Sequence, residues 1–286
     1  MANMRAIRTR IKSVKNTQQI TKAMKMVAVS KLRKTQAAAE NARPFAEKSR
    51  EVLNTLLSSG EAVLSSPLTT PRKTVNKVLY VLIVGNRGLC GTYNSALLKF
   101  AAELNEKDGR DCEFIVCGRW GRDAILKSGL KVREFLPELG DTPGFDEALG
   151  LSDRLKLLYL SGEADEIHIV HQKYVSALRQ DPVCVQFLPA KAENTGETKT
   201  REFIFAPDRN SVLDSVLRLC LNNELYAMML SARCGEHSAR MTAMTAATDS
   251  TKELIDELGL SLNRARQAAI TTEISEIVGG AAALKK

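Results

Sequence analysis

Apolar positions in the first sixty residues recur at helical spacing. Ile7, Ile11, Val14, Met24, Val27 or Ala28, and Leu32 fall three, four or seven apart, with bases on the other faces. Between Val14 and Met24 the chain turns polar (Asn16-Thr17-Gln18-Gln19), and Ile20 is expected to carry the stripe across. No glycine precedes Gly60 and Pro44 is the one proline in the first 66 residues, so a helix is predicted from Ala2 to Leu57. Pro44 removes a backbone donor and would kink that helix or end its straight part. The other end of the chain reads alike. No proline follows Pro207, and Asp208 is placed to cap a helix carrying Leu213, Val216, Leu217, Cys220, Leu221, Leu225, Met228 and Met229. Past Gly235 the stripe resumes with Met241, Met244, Ala247, Thr251, Leu254, Ile255 and Leu258, and runs on to Ile270, Ile274 and Ile277.

The middle of the chain has a different rhythm. Val78-Leu79-Tyr80-Val81-Leu82-Ile83-Val84 is a continuous β-rich run, as expected of a strand buried on both faces. Helical patterns follow near 94–107, 119–128 and 145–161, and strand patterns at 112–117, 166–171, 183–188 and 202–206. Alternation of this kind predicts a mostly parallel α/β sheet. Residues 58–75 and 190–200 read as loops. No aromatic residue precedes Phe45 or follows Tyr226, so both terminal helices are slender and can approach closely. Neither can bury its stripe alone. The expected fold is therefore α/β plus all-α: a long antiparallel coiled coil of the N- and C-terminal helices with an inserted Rossmann-like α/β domain. Its divisions fall at 1–57, 76–207 and 208–286.

Charge sharpens this picture. The 286 residues carry a formal +8, yet the first fifty hold thirteen bases against Glu40 and Glu47. The basicity belongs to the first helix, which must meet something acidic or stay solvated. A nucleic-acid partner fits the charge but finds no interleaved aromatics, zinc-finger spacing or adjoining zipper. No apolar run is long enough to span a bilayer, and Met1-Ala2-Asn3-Met4-Arg5 lacks the order of a signal peptide, so neither secretion nor membrane spanning is expected.

Candidates for chemistry are few. Cys90, Cys112, Cys117, Cys184, Cys220 and Cys234 show no paired spacing and read as buried free thiols. His168 and His171, three apart in a strand, face opposite sides, so no metal site is expected. Gly85-Asn86-Arg87-Gly88-Leu89-Cys90-Gly91 sits between a buried strand and a helix, where phosphate loops lie. Its G-x-x-G-x-x-G spacing matches neither the dinucleotide nor the P-loop pattern, which favours a sharp turn over a nucleotide cradle. Acid pairs near 253–257 and 273–276 are read as solvent-facing. Residues 268–284 are small, apolar and nearly free of charge, which suits either a plain helix end or a tip held in an apolar sleeve made by other chains.

Three stretches carry a family resemblance: Ile11-x-Ser13-Val14-Lys15-Asn16-Thr17-x-Gln19-Ile20-Thr21-Lys22-Ala23-Met24-Lys25-Met26-Val27-Ala28, Arg87-Gly88-Leu89-Cys90-Gly91, and Ala239-Arg240-Met241-x-Ala243-Met244-x-Ala246-Ala247-Thr248-Asp249 with Arg264-x-Arg266-Gln267-x-x-Ile270-Thr271-x-Glu273-Ile274-x-Glu276-Ile277-Val278-x-Gly280-Ala281. In this order they resemble the gamma subunits of F-type ATP synthases, the central rotor shaft. The resemblance implies a non-catalytic subunit that couples proton or sodium flow to ATP synthesis. It implies no cofactor and no nucleic acid. Its partners would be the alpha and beta head subunits, the epsilon subunit and the membrane c-ring, with the chain peripheral to the cytoplasmic face of a bacterial plasma membrane. By position, Met24, Lys25, Arg266, Gln267 and Thr271 would touch the head subunits. Ile270, Ile274, Ile277, Val278, Ala281 and Leu284 would form an apolar bearing tip, and Phe203 and Phe205 would lie near the ring. Arg240, Thr248 and Asp249 are assigned to interface or coil packing. The cysteine-bearing insertion of the chloroplast type is missing, so redox switching through such a loop is not expected.

Overall fold

The computed structural model describes residues 2–58, 66–191 and 208–283. The chain forms two compact units, Met1–Val27 with Met241–Lys286, and Ala28–Arg240. Two helices, α1 (Ala2–Ser58) and α5 (Arg209–Ala283), contribute to both.

The larger unit is built on five strands, β1 (Lys77–Ile83), β2 (Asp111–Cys117), β3 (Val132–Leu136), β4 (Glu166–Tyr174) and β5 (Gln180–Leu188), in the order β3-β2-β1-β4-β5. All neighbours pair parallel except β4 with β5. The central strand is buried on both faces, as its sequence predicts. Val78, Tyr80 and Leu82 point one way, against Leu97 and Ala101 of α2 (Tyr93–Asp108) and Ile125 of α3 (Trp120–Lys127). Leu79, Val81 and Ile83 point the other way, to a layer with Ala148, Leu151 and Leu155 of α4 (Phe145–Leu160) and Leu213, Leu217, Leu221 and Leu225 of α5. Leu53 of α1 joins that second layer. Burying such side chains removes about 1.5–3 kcal/mol of apolar exposure each, which holds the three layers together.

Asp208 caps α5 as expected: its carboxylate accepts from the Ser211 backbone N–H at 3.0 Å and from the Ser211 hydroxyl at 2.7 Å. His168 lies against the Tyr80 ring (5.4 Å between centroids), while His171 is buried on the opposite face and its pKa is pushed down to about 4 by burial. Strand β3 escapes the sequence reading. It is a short edge strand whose Arg133 and Glu134 interrupt the apolar pattern and discourage edge pairing. β5, the other edge, tolerates Pro182 because an edge strand has a side with no ladder to serve. The strand pattern at 202–206 lies outside the described residues.

In the smaller unit, α1 presents Met4, Ile7, Ile11, Val14, Gln18, Thr21 and Lys25 at strictly alternating steps of three and four, all at least half-buried. The facing stretch of α5 offers Met241, Met244, Thr248, Thr251, Ile255, Leu258, Leu262, Ala265 and Ala269 in the same rhythm. This heptad seam is the pattern of a left-handed coiled coil. The Thr248 and Thr21 hydroxyls lie 2.9 Å apart across it. Ala2 stands 19 positions before Thr21 and cover on α5 ends at Ala269, 21 positions after Thr248, as antiparallel pairing requires.

One expectation needs correction. Ile20 does not carry the seam; it is 60% exposed, and Gln18 and Thr21 occupy the inward positions because the three-four step from Val14 lands on them. Of Val27 and Ala28, the alanine is buried and the valine exposed. The predicted helix from Ala2 to Leu57 is present, and α1 runs through Pro44 to Ser58.

Candidate functional site

At the carboxyl ends of parallel strands, open α/β sheets usually leave a ligand crevice where the strand order reverses. Here that reversal lies between β1 and β4, beside the Gly85–Gly91 loop. It is filled by the chain's own α5, in the small-residue stretch Ser231-Ala232-Arg233-Cys234-Gly235-Glu236-His237-Ser238-Ala239-Arg240. Two glycines permit the approach. A side chain at Gly85 would meet Asn94 Oδ1 at 2.9 Å and Glu236 Cδ at 3.0 Å, and one at Gly235 would meet the Tyr93 ring at 3.1 Å.

Three loops then hold this helix turn. From the β1–α2 loop, Asn86 Oδ1 accepts from Arg233 Nη2 (3.1 Å), and the Arg87 and Gly88 carbonyls accept from Arg240 Nη2 (3.1 and 3.3 Å). From the β3–α4 loop, the Leu139 carbonyl accepts from Arg233 Nη2 (2.9 Å) and that of Asp141 from His237 Nε2 (2.9 Å). From the β4–β5 hairpin, the Ala177 carbonyl accepts from the Ser238 hydroxyl (2.7 Å). A carbonyl can only accept, so His237 carries its proton on Nε2.

Glu236 sits between the two arginines, paired with Arg233 and with Arg240 (2.7 Å). Its side chain is 4% exposed and that of Arg233 3%. Burial alone would raise the Glu236 carboxyl, but the two guanidinium groups outweigh it and hold the pKa below the usual carboxylate range. Cys90 lies beside this cluster, buried, with its thiol pKa raised by burial, the opposite of an activated nucleophile. The Gly85–Gly91 stretch is thus a strand-to-helix turn, with Leu89 and Gly91 at positive φ, closed over by α5.

The residues assigned to partner contact fall on α1 and α5 in the smaller unit. Met24 and Lys25 are half-buried, and Arg266, Gln267 and Thr271 are exposed, the Thr271 hydroxyl donating to Gln267 O at 3.0 Å. Ile270, Ile274, Ile277 and Val278 are all exposed, Ile277 to 71%. The cause is visible in the register: they lie beyond Ala269, where the facing residues of α1 have run out. Ala281 lies in α5, whose last turn ends at Ala283; Leu284, Phe203 and Phe205 lie outside the described residues. Among the described residues, no group of three or more His, Cys, Asp or Glu is placed to hold a metal ion. No described helix is long and apolar enough to cross a membrane.

Comparison with known proteins decides what this arrangement belongs to. The family profile described as ATP synthase matches residues 3–284. The ATP synthase gamma chain of Desulforamulus reducens is 44% identical over 286 residues, and that of Desulfitobacterium hafniense 42% over 285, each covering 100% of both chains. The chain belongs to the ATP synthase gamma chain family. It is accordingly a non-catalytic, peripheral subunit of that enzyme, and its central-stalk fold has solved counterparts. The Euglena gracilis mitochondrial ATP synthase (OSCP/F1/c-ring, rotational state 3) contains a chain that superposes with a TM-score of 0.72 over 99% of this chain and 95% of that one, at 18% identity. The Tetrahymena thermophila mitochondrial central stalk matches over 80% of this chain and 99% of its own, with a TM-score of 0.60 and 22% identity.

The collar around α5 was not foreseen from sequence. Arg233, Glu236 and Arg240, spaced three and four apart, look like an ordinary solvated helix face. The available signal was Gly235 amid Ser, Ala and Cys, a composition that lets a helix pack against backbone.

Proposed function

We propose that this chain is the rotor shaft of a bacterial F-type ATP synthase, carrying torque between an ion-driven c-ring and the catalytic head so that proton or sodium flow drives ATP synthesis. The head is formed by alpha and beta subunits, and the α/β portion meets the ring and the epsilon subunit on the cytoplasmic face of the plasma membrane. The working division is then a helical pair, 1–57 with 208–286, and an α/β foot, 76–207. Met24, Lys25, Arg266, Gln267 and Thr271 contact loops of the head, where the basic first helix meets acids. Ile270, Ile274, Ile277, Val278, Ala281 and Leu284 turn inside an apolar bearing. Phe203 and Phe205 lie near the ring.

The observation that carries this reading is the bare apolar run beyond Ala269. A helix that projects Ile270, Ile274, Ile277 and Val278 into water without a partner helix is stable in isolation only at a cost of exposed apolar area, and a surrounding sleeve of other chains removes that cost. The two acids in the run, Glu273 and Glu276, are exposed as well, so the run offers its sleeve few strong polar contacts. Purification through a tag on this chain tests the assignment. A head complex that comes away with it and hydrolyses ATP supports the shaft; a chain recovered without head subunits from ATP-synthesising membranes refutes it. Met24→Lys in that complex should lower ATP-driven pumping relative to hydrolysis while leaving the chain folded, because the added charge meets the acidic loops of the head.

A further inference from the structure

The buried Arg233–Glu236–Arg240 cluster poses a question that stability does not answer. A charged triad at a core position contributes no more to folding than well-packed apolar side chains of the same size, and often less, because each ion must leave water. Leucine and methionine would fill the same space. What they cannot do is aim. Apolar packing between a helix and a sheet has neighbouring solutions one helical step away, whereas hydrogen bonds to fixed carbonyls have one.

Every grip in the collar is of the aimed kind. Arg233 reaches Asn86 and the Leu139 carbonyl, Arg240 the Arg87 and Gly88 carbonyls, His237 the Asp141 carbonyl and Ser238 the Ala177 carbonyl. Glu236 pairs with both arginines and so fixes them in the rotamers that reach the loops. The loops are themselves braced. Asn86 Nδ2 donates to the Leu139 carbonyl at 2.7 Å, joining the first loop to the second, and Asp141 is held by Lys31 of α1 at 2.6 Å. The carbonyls come from three separate loops, so the helix can neither rotate about its axis nor slide along it without breaking several bonds at once. From Arg240 onward, α5 continues without a break to Ala283.

We infer that this collar is the torque clamp of the chain: Arg233, Glu236, His237, Ser238 and Arg240 are positioning residues that lock the angular register of α5 to the α/β sheet. Twisting load applied to the sheet enters α5 there, and the load is borne by directional bonds rather than by the apolar layer of Leu213, Leu217, Leu221 and Leu225. The inference rests on the rotor-shaft reading above.

The test replaces the aimed contacts with apolar volume, using R233M/E236Q/R240M in the tagged, assembled complex in membrane vesicles. ATP hydrolysis should persist, while protons pumped per ATP hydrolysed should fall about threefold or more. The milder S238A/H237M, which leaves the triad intact, should move the same ratio in the same direction by less, and stands in for the triple variant if that one does not assemble. A control is provided by Lys156→Met, which removes a buried hydrogen bond between α4 and α5 (Lys156 Nζ to Asn222 Oδ1, 3.0 Å) outside the collar. It should lower thermal stability without changing the ratio. Unchanged pumping per ATP in the collar variants overturns the clamp, and so does an equal fall in Lys156→Met, which would mean general loosening. Failure of the unsubstituted chain to enter an ATPase-active complex instead refutes the rotor-shaft reading itself.

Discussion

The two units solve the problem of burial in opposite ways. In the α/β unit, strands are sealed on both faces, and Val81, Leu82, Phe114, Ile115 and Ile169 have no solvent exposure at all. In the coil unit, Thr21 and Met244 are the only buried side chains among the described residues; every other seam position is merely half-covered. The sheet is finished within this chain. The coil is not, since a two-helix seam with Gln18, Thr21, Lys25, Thr248 and Thr251 at its centre holds register through polar contacts and little else. Such a pair leaves most of each helix surface for other molecules to read. One part of the molecule is closed, and the other leaves its surface open.

That contrast is broken most directly by deleting core volume. Phe114→Ala should cost about 3–5 kcal/mol in urea unfolding of the larger unit, since it empties a fully buried site between β2 and the α2–α3 layer, beside Tyr80 of β1. The corresponding change in the seam, Ile255→Ala, should cost about 1 kcal/mol, because that side chain is only partly buried. Equal losses would contradict the difference.

Acid should separate the units next. All three histidines lie in the larger one, and burial lowers the pKa of each, that of His171 to about 4. A histidine whose folded pKa is depressed contributes stability above its unfolded pKa near 6.5 and loses it as pH falls toward the folded value. Stability of the α/β unit should therefore decline by about 2–3 kcal/mol for His171 between pH 6.5 and 4, and His171→Gln should flatten that slope. The coil, which holds no histidine, should keep its hydrogen-exchange protection across the same interval.

Smaller effects sharpen the comparison at the two ends of α5. Asp208→Ala removes the cap on the first turn and should cost about 1 kcal/mol, read as faster amide exchange at Ser211 and Val212. At the far end, Ile277→Ser should change the stability of the free chain by less than about 0.5 kcal/mol, since the side chain touches solvent. If the proposed bearing covers Ile277, the same substitution should reduce the yield of assembled head complex.

Much of this architecture was written plainly in the chain. The run from Val78 to Val84 gave the central strand because only a two-faced burial needs seven apolar residues in succession. Asp208 marked the start of α5, because a capping carboxylate needs only local hydrogen bonding. Where tertiary context decides, pattern reading failed. Ile20 looked apolar enough to belong in the seam, but position in the heptad outranks hydrophobicity, so Thr21 is inside and Ile20 outside. Strand β3 was hidden because an edge strand is selected for charge as much as for apolarity. The collar was hidden for a third reason. Its partners are backbone carbonyls some 60 to 150 residues away from the side chains that reach them, and carbonyls leave no mark in a sequence.

If the collar locks α5 to the sheet, as inferred above, the α/β unit turns as one body with α5 when ATP is consumed. This is tested most directly by fixing a head complex to a surface and tying a bead to a cysteine introduced at the exposed Glu106 of α2. With ATP supplied, the bead should revolve in one direction, pausing at evenly spaced angles. A bead that only fluctuates while the same complexes hydrolyse ATP would contradict the account.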